Sequence, residues 1–228
     1  KKASLSFSAC VICGTSIDQF EMFKGKPRRC PSCGSSERQR SFAYAQISGM
    51  LQEVGVELTN KEMLLISPSS SERRFLKTIP DIRITTIDIR PQVKPDIIAN
   101  ICDMPSVKKA SFDVIYASCV LNCVYNLDAC LKELQRVLKP DGGIFLSLEI
   151  LDTGKNTVEF TDINVITKWY GMEAYEKYRI GAYRRFGEQD YADILSRYFR
   201  AEIIKVMDHP SGNEQRWHIC TPREWHGN

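Results

Sequence analysis

The chain has 228 residues, which is enough for one complete α/β domain and a small additional module. Hydrophobic residues make up 43% of the sequence and no run of about 18 apolar residues occurs, so no membrane span is predicted. The net charge of +3 is uneven: residues 1–40 carry eight basic and three acidic side chains, whereas residues 41–228 carry 23 and 25.

The cysteine count and the start of the sequence indicate the cellular compartment. No signal peptide is visible, and the nine cysteines are an odd number. We therefore expect a cytoplasmic protein whose cysteines are reduced thiols and metal ligands. The basic first 40 residues could contact nucleic acid or an anionic substrate. Because no aromatic-rich basic stripe accompanies them, a solvated surface is favoured and nucleic acid is not the expected partner. The sequence does not indicate an oligomeric state.

Two Cys-x-x-Cys pairs come first in chain order. Cys10 and Cys13 form one pair, Cys30 and Cys33 form the other, and 16 residues separate the pairs. A glycine follows each pair and lets the chain turn, so that backbone N–H groups can face the sulfurs. Four thiolates at this spacing can close a tetrahedron around Zn²⁺. The sequence predicts a zinc ribbon at residues 1–35, with a structural ion because no coordination position is left for water.

A linking helix is predicted within residues 36–60. Ser35 or Ser36 is expected to cap its start, and Gly55 is expected to end it. Its predicted apolar face comprises Ile47, Met50, Leu51 and Val54.

Three strands are predicted next, at residues 62–67, 82–89 and 96–101, from runs of apolar and β-branched residues. A serine-rich loop and a helix follow the first strand. The second strand ends at Asp88, and Asp103 follows the third.

The stretch 111–148 organises the rest of the chain. A buried strand at 112–118 precedes an amphipathic helix that Asn126 is expected to cap. The helix is expected to end at Lys139-Pro140, before a second buried strand at 144–150. Strand, helix and strand with short connections form a crossover unit of a parallel sheet. The apolar stripe of the helix comprises Leu127, Cys130, Leu131, Leu134, Val137 and Leu138.

The C-terminal third is predicted to cap and close this sheet. An aromatic and charged segment within residues 152–190 is expected to form a helical cap. A helix at 191–199 follows it, and residues 201–208 and 214–221 are expected to form an antiparallel hairpin.

Two strings carry a resemblance to a known family. FDVIYAS, followed by LKELQRVLKPDGGIFLSL, resembles the fourth and fifth strands of class I S-adenosylmethionine (SAM) methyltransferases. The string from Cys30 to Arg40 (Cys-Pro-x-Cys-Gly-Ser-x-x-Arg-x-Arg) is similar to a subgroup that opens with a zinc ribbon. The resemblance implies an α/β, Rossmann-like domain at residues 61–228, with a mostly parallel seven-stranded sheet. Arg38 and Arg40 are expected to form salt bridges between ribbon and domain, with the cleft as the alternative.

The resemblance also implies that SAM is the cofactor. An acid at the second strand tip, Asp88, can accept hydrogen bonds from both ribose hydroxyls. Asp103 matches the family acid that contacts the adenine amino group, and Met104 would pack beside the adenine ring. The other expected cofactor contacts are Ser67, Pro68, Ser69, Ser118 and Cys119.

The chain departs from the family pattern at several positions. The loop after the first strand has no glycine, and Cys119, Cys123 and Ala182 stand where the family has histidines. A general base is therefore missing from its usual place. The candidates to replace it are Tyr183, His209 and Glu149. Arg184 and Arg185 would bind an anionic substrate, with a solvated face as an equal alternative.

The leading prediction is SAM-dependent methyl transfer to a small polar acceptor, such as a sugar or a natural-product intermediate. A catalytically degenerate SAM-binding domain that acts as an interaction module is the alternative, supported by the missing glycines and histidines. A third hypothesis is RNA or protein methylation, with the basic ribbon as the docking element.

Overall fold

The structure, a computed structural model, describes residues 8–147 and 156–223. The chain forms two compact units. The first comprises the chain up to Lys61, Pro68–Arg83 and Ile203–Trp217, and the second comprises the remaining segments. Within the described residues, every helix falls short of the length and apolarity needed to cross a membrane.

The strands and helices follow one another along the whole chain. The strands are β1 (Glu21–Phe23), β2 (Lys26–Arg29), β3 (Glu62–Ile66), β4 (Arg83–Asp88), β5 (Ile97–Ile98), β6 (Phe112–Ser118), β7 (Leu138–Ser147), β8 (Val158–Glu159), β9 (Arg184–Arg185), β10 (Phe199–Asp208) and β11 (Asn213–Pro222). The helices are α1 (Glu37–Ser48), α2 (Met50–Glu53), α3 (Ser70–Leu76), α4 (Leu127–Val137), α5 (Ile163–Thr167), α6 (Met172–Tyr178) and α7 (Glu188–Ser196).

A seven-stranded sheet has the strand order β10-β11-β7-β6-β3-β4-β5. Strand β6 pairs in parallel with β3 and β7, and β4 pairs in parallel with β5. The carboxyl ends of these strands therefore lie along one edge, which is where open α/β sheets bind ligands. This mostly parallel, Rossmann-like sheet confirms the predicted fold class.

The core of the second unit lies between this sheet and α4. Asn126 caps α4 as predicted, since its side chain accepts a hydrogen bond from the backbone N–H of Ala129. The apolar stripe then buries Leu131 and Leu134 completely against a core that includes Leu64. Each fully buried leucine stabilises the fold by roughly 1.5–3 kcal/mol.

Strand β7 begins at Leu138, six residues before the predicted start at 144. Its pairing register against β6 shifts between the first and third residues of β6. Gly142 lies in this irregular stretch, and a Cβ there would come within 2.8 Å of the carbonyl oxygen of Asp113. The glycine therefore lets the chain continue as a strand where the sequence suggested a turn. Residues 148–150 of the predicted strand lie outside the described residues.

The first unit contains the cysteine module, α1 to α3 and the turn-proximal half of the β10–β11 hairpin. Its core includes Phe42, whose ring centroid lies 5.0 Å from that of Trp217 and 6.4 Å from that of Phe75. The indole N–H of Trp217 donates to the hydroxyl of Ser41 over 3.0 Å, so a fully buried polar group is satisfied.

The linking helix is shorter than predicted. Ser36 caps α1, but the helix ends at Ser48 because Gly49 adopts a left-handed conformation with a φ of +88°. The predicted apolar face was wrong at Ile47, whose side chain is 45% exposed. Leu51 is buried as predicted, and the rest of the buried face of this segment comprises Phe42, Ala43 and Ala45.

A buried ion pair joins α1 to the hairpin. Nε and Nη2 of Arg40 donate to the two carboxylate oxygens of Asp208 at 2.9 and 2.7 Å, and both side chains are 1% exposed. Nη1 donates to the carbonyl oxygens of Arg28 and Ser35. Arg40 is thus fixed by an ion pair within the first unit, and a salt bridge between ribbon and domain stays a prediction.

Candidate functional site

The four predicted zinc ligands converge in the first unit. The sulfurs of Cys10, Cys13, Cys30 and Cys33 all lie within 4.8 Å of one another. Two of the separations are 3.7 Å (Cys10 to Cys33) and 3.4 Å (Cys13 to Cys30). A tetrahedron with Zn–S bonds of about 2.3 Å has edges of about 3.8 Å. The four-cysteine cluster is therefore compatible with a structural zinc ion.

Two similar turns position these cysteines. In each pair, the glycine after the second cysteine donates its N–H to the carbonyl of the first: Gly14 to Cys10 at 2.8 Å, and Gly34 to Cys30 at 2.9 Å. Both glycines have a positive φ, +77° and +72°. Two left-handed turns of this kind bring both pairs of thiols to the same point.

Hydroxyl groups surround the sulfurs. The Ser35 hydroxyl lies 3.1 Å from the Cys33 sulfur and 3.5 Å from the Cys10 sulfur, and the Thr15 hydroxyl lies 3.1 Å from the Cys13 sulfur. Hydrogen bonds around the ligands orient them and tune their affinity for the metal.

In the second unit, two residues at neighbouring strand tips have left-handed backbones. Ser67 follows β3 with a φ of +45°, and Cys119 follows β6 with a φ of +52°. Backbone hydrogen bonds to Ile87 and Ser147, both 2.9 Å, hold them there. Non-glycine residues in this conformation are strained and cluster at functional sites. Ser67 therefore supplies the turn that a glycine supplies in the family pattern.

Asp88 ends β4 as a buried carboxylate that is 2% exposed. Arg90 donates to Oδ1 of Asp88 from its backbone N–H and its Nε, both over 2.9 Å, and to Oδ2 from its Nη2 over 2.8 Å. Burial alone would raise the pKa of Asp88, but hydrogen bonds from Arg90 and from the hydroxyl of Ser67 hold it below its usual value. Asp88 is therefore an ionised acceptor at neutral pH. Sequence reasoning missed Arg90, although a cation two residues after a strand-tip acid was visible.

The loop after β5 carries the other predicted acid. Asp103 is exposed, and its N–H closes a turn by donating to the carbonyl of Asn100 at 2.9 Å. Met104 is fully buried in the core, and its N–H donates to the carboxylate of Glu133. The adenine contact of Asp103 and the packing role of Met104 stay predictions.

The predicted helical cap contacts the loops at the strand tips. We call residues 163–178, which comprise α5 and α6, the lid. The phenol oxygen of Tyr170 lies 2.9 Å from the sulfur of Cys123, and the phenol of Tyr178 donates to Gln92 over 3.0 Å. Asp88 is the main cause that raises the pKa of Arg90, and Tyr170 and Cys123 contribute to the same increase. The residues that contact the lid therefore lie near the Asp88–Arg90 pair.

Comparison with known proteins finds methyltransferases. A family model described as a methyltransferase domain matches residues 97–168. The sterol 4-C-methyltransferase strm-1 of Caenorhabditis elegans is 32% identical over 110 residues, which cover 47% of this chain and 29% of that protein. The chain thus spans less than a third of the length of that curated relative.

Solved structures show the same fold. The PH0226 protein from Pyrococcus horikoshii OT3 is 15% identical with a TM-score of 0.51, covering 81% of this chain and 93% of the other. An S-adenosylmethionine-dependent methyltransferase from Mesorhizobium loti is 12% identical with a TM-score of 0.50, covering 75% and 95%. Residues 97–168 thus match a methyltransferase domain, and the fold of the described residues is that of these solved structures. The matched segment contains FDVIYAS and LKELQRVLKPDGGIFLSL, so the prediction of a methyltransferase domain is confirmed. The string from Cys30 to Arg40 lies outside the matched segment.

Three residues were candidates for the general base of the methyltransferase domain. Tyr183 is 4% exposed, its hydroxyl donates to the carbonyl of Arg179 over 2.7 Å, and burial raises its pKa. His209 belongs to the first unit, where its ring centroid lies 5.1 Å from that of Tyr44. Glu149 lies outside the described residues. The high pKa and engaged hydroxyl of Tyr183 make it a poor proton acceptor at neutral pH.

The two arginines predicted to bind substrate lie on β9 of the second unit. Arg184 is 7% exposed and its Nε forms an ion pair of 2.7 Å with Glu159. Its other nitrogens donate to the carbonyl oxygens of Leu121, Val124 and Tyr125. Arg185 pairs with Val158 in the two-stranded sheet. These contacts favour a structural role for Arg184, and the substrate role of both residues stays a prediction.

Two predicted cofactor contacts, Pro68 and Ser69, belong to the first unit. Ser69 caps α3: its N–H and hydroxyl both donate to the carboxylate of Glu72, at 2.6 and 2.8 Å. Ser118 and Ser147, in the second unit, end neighbouring strands with their hydroxyls 2.9 Å apart. Ser147 has a place at the candidate edge that the sequence did not predict.

Proposed function

We propose that the chain is a SAM-dependent methyltransferase that acts on a small polar acceptor, such as a sugar or a natural-product intermediate. The observation that carries this proposal is the ionised, buried Asp88 beside the left-handed Ser67 at the carboxyl edge of the sheet. A buried carboxylate at a strand tip suits the two hydroxyls of a ribose, and the tight turn at Ser67 suits close approach of backbone to a ligand. The residues present therefore fit SAM.

Each residue has a distinct task in this proposal. SAM, when bound, supplies an electrophilic methyl group. Asp88 accepts hydrogen bonds from the ribose and Asp103 accepts one from the adenine amino group. Ser67 offers its backbone, and Ser118 and Cys119 line the cleft. The lid, held by its contacts through Tyr170 and Tyr178, excludes water from the reacting atoms.

Tyr183 is not suited to deprotonate the acceptor. Tyr183 keeps its proton at neutral pH, since its pKa is raised and its hydroxyl donates to a carbonyl. We therefore propose an acceptor atom that is already nucleophilic near pH 7. Catalysis then depends on holding this atom in line with the methyl group. The curated relative, which is named as a sterol methyltransferase, supports a small-molecule acceptor.

Calorimetry with SAM tests the cofactor site. We expect wild-type protein to bind SAM, and Asp88→Ala to weaken binding by about 1–3 kcal/mol because two hydroxyls lose their partner. Asp141→Ala, a change at an exposed aspartate on β7, is the matched control and should bind like wild type. Absence of binding at millimolar SAM would overturn the enzyme proposal.

A second assay separates the enzyme from the alternatives. Release of S-adenosylhomocysteine is screened against sugar and natural-product acceptors, and turnover with one of them is expected. SAM binding without turnover on any acceptor class would favour a degenerate SAM-binding module. Turnover on RNA or protein substrates alone would favour the third hypothesis.

A further inference from the structure

A second concave site lies in the second unit, at the opposite end of the parallel strands from the candidate cofactor edge. A cavity of about 600 Å³ opens between the end of α4, the loop before β6, the start of β7 and the end of β11. Ala110 and Leu138 line it beside the first residues of β6 and β7. Strand β6 has seven residues, so its two ends are about 20 Å apart. The cavity is thus separate from Ser118 and Cys119 at the carboxyl end.

The lining combines apolar walls with positive charge. Leu138 and Pro140 contribute apolar surface, and four cationic side chains, Lys109, Lys132, Arg136 and Arg223, surround it. Among the residues that the structure describes, no acidic side chain lines the cavity. Its volume lies within the range of about 300–1,000 Å³ that is typical of small-molecule sites.

Two of the four cations already have partners. Lys132 pairs with Asp128 over 2.8 Å on the exposed surface of α4. Arg136 pairs with Glu133 over 2.7 Å and also donates to the carbonyl oxygens of two residues in the loop before β6. Within residues 8–147 and 156–223, no such ion pair involves Lys109 or Arg223. These two side chains supply the uncompensated positive charge of the site.

We propose that this cavity binds a small organic anion with an apolar body, such as a carboxylate or phosphate monoester that carries a hydrocarbon or aromatic group. The apolar body would cover the exposed Pro140 and the half-buried Ala110, and it would remove their apolar surface from water. The anionic group would pair with Lys109 and Arg223, whose exposed side chains line the cavity and make the pairing sensitive to salt. A concave pocket of this volume encloses a small molecule, which favours such a ligand over a flat protein partner.

The probe is 8-anilinonaphthalene-1-sulfonate, an anion with an aromatic body. Its fluorescence is titrated with full-length protein in the presence of saturating S-adenosylhomocysteine, so that binding at the cofactor edge does not contribute. We expect saturable binding of one probe per chain that weakens with added salt. N-phenyl-1-naphthylamine, which has the same rings without the sulfonate, should bind at least about tenfold more weakly.

Charge variants locate the site. Lys109→Glu combined with Arg223→Glu should weaken probe binding at least about tenfold, and Lys109→Gln combined with Arg223→Gln should have a smaller effect. Lys94→Glu combined with Arg200→Glu changes the net charge equally at two exposed positions outside the cavity lining and should bind like wild type. Thermal unfolding confirms that each variant is folded.

Four results would overturn the proposal. They are no binding to wild type, equal binding by the Lys109/Arg223 variants, equal binding of the neutral probe, and binding that appears only in a chain ending at Arg223. The last result would mean that residues 224–228 of the chain itself occupy the cavity.

Discussion

Ser67 has a φ of +45° where β3 ends, and its hydroxyl is one of the groups that lower the pKa of Asp88. The left-handed conformation costs a non-glycine residue about 1–2 kcal/mol, and a hydroxyl that interacts with the carboxylate offsets up to about 1 kcal/mol of this cost. Serine at this position therefore combines a strained backbone with a side chain that helps to hold the acid ionised.

Two substitutions separate these contributions. Ser67→Ala removes the hydroxyl and keeps the strain, so we expect a loss of about 1 kcal/mol in the free energy of unfolding. Ser67→Gly removes both, so it should be more stable than Ser67→Ala by about 1 kcal/mol. Denaturant unfolding of the two variants measures the difference. An alanine variant more stable than the glycine variant would contradict the strain at this turn.

The Asp88–Arg90 pair predicts a pH dependence. The pKa of Asp88 is lower in the folded state than its unfolded value of about 3.9, so the pair adds stability above that value. This stability is lost as the pH falls through the folded pKa. Because Arg90 is 35% exposed, the gain is at most about 1 kcal/mol.

Arg90→Ala tests this dependence. Its midpoint of thermal unfolding should lie below that of wild type at pH 6, and the two midpoints should converge as the pH is lowered to about 2–3. Arg200→Ala, at an exposed position on β10, controls for the loss of one positive charge. A difference between wild type and Arg90→Ala that stays constant with pH would exclude Asp88 as the titrating group.

Among the elements, α1 depends on one buried ion pair. Arg40 and Asp208 are each 1% exposed and form two hydrogen bonds with each other. Removing one partner leaves the other charged, buried and unpaired, so Arg40→Ala should cost about 3–5 kcal/mol of unfolding free energy. Arg40→Lys keeps the charge but loses the two-pronged geometry and should fall between Ala and wild type. Denaturant unfolding measures both, and a cost below about 1 kcal/mol for Ala would contradict a buried pair.

Elements with a strong local pattern were predictable. Helix α4 has a capping Asn126 and a regular apolar stripe, and the two cysteine pairs have a spacing that suits one metal. Element boundaries that depend on the backbone conformation of one residue were not predictable. Gly49 stops α1, and Gly142 lets β7 start at Leu138, because each permits a backbone path that the side-chain pattern does not encode.

The candidate site was predictable in part, as the fold was. The strand-tip position of Asp88 follows from the strand pattern, so the acid was found. The left-handed turn at Ser67 and the hydrogen bonds from Arg90 depend on where neighbouring chain segments meet, which a single sequence does not give. The absence of a glycine after β3 therefore suggested a lost function, although the structure retains the turn.

At the scale of the molecule, the metal is predicted to hold the first unit together. A cysteine module of about 35 residues is too small to bury a sufficient core without metal. Elemental analysis should find about one zinc per chain. Chelation should shift the tryptophan fluorescence to longer wavelength, because Trp217, one of three tryptophans, is buried and packs on Phe42 in the same unit.

Cys30→Ser should lose the zinc and reproduce the fluorescence of the chelated protein. Cys102→Ser changes a thiol outside the four-cysteine cluster and should retain the metal. A protein without metal that unfolds at the same temperature as the zinc-loaded protein would overturn the structural role.

The chain passes between its two units five times, after Lys61, Ser67, Arg83, Glu202 and Trp217. In evolutionary terms, the cysteine module and its helix are not an adaptor that a single recombination event can add or remove. Loss of the chain up to Lys61 would take away Phe42 and uncover the rings of Phe75 and Trp217, which occur in two later segments. A lineage that keeps the module must therefore change the chain up to Lys61 and the segments around Phe75 and Trp217 together. A lineage that discarded the module would need polar residues in place of Phe75 and Trp217.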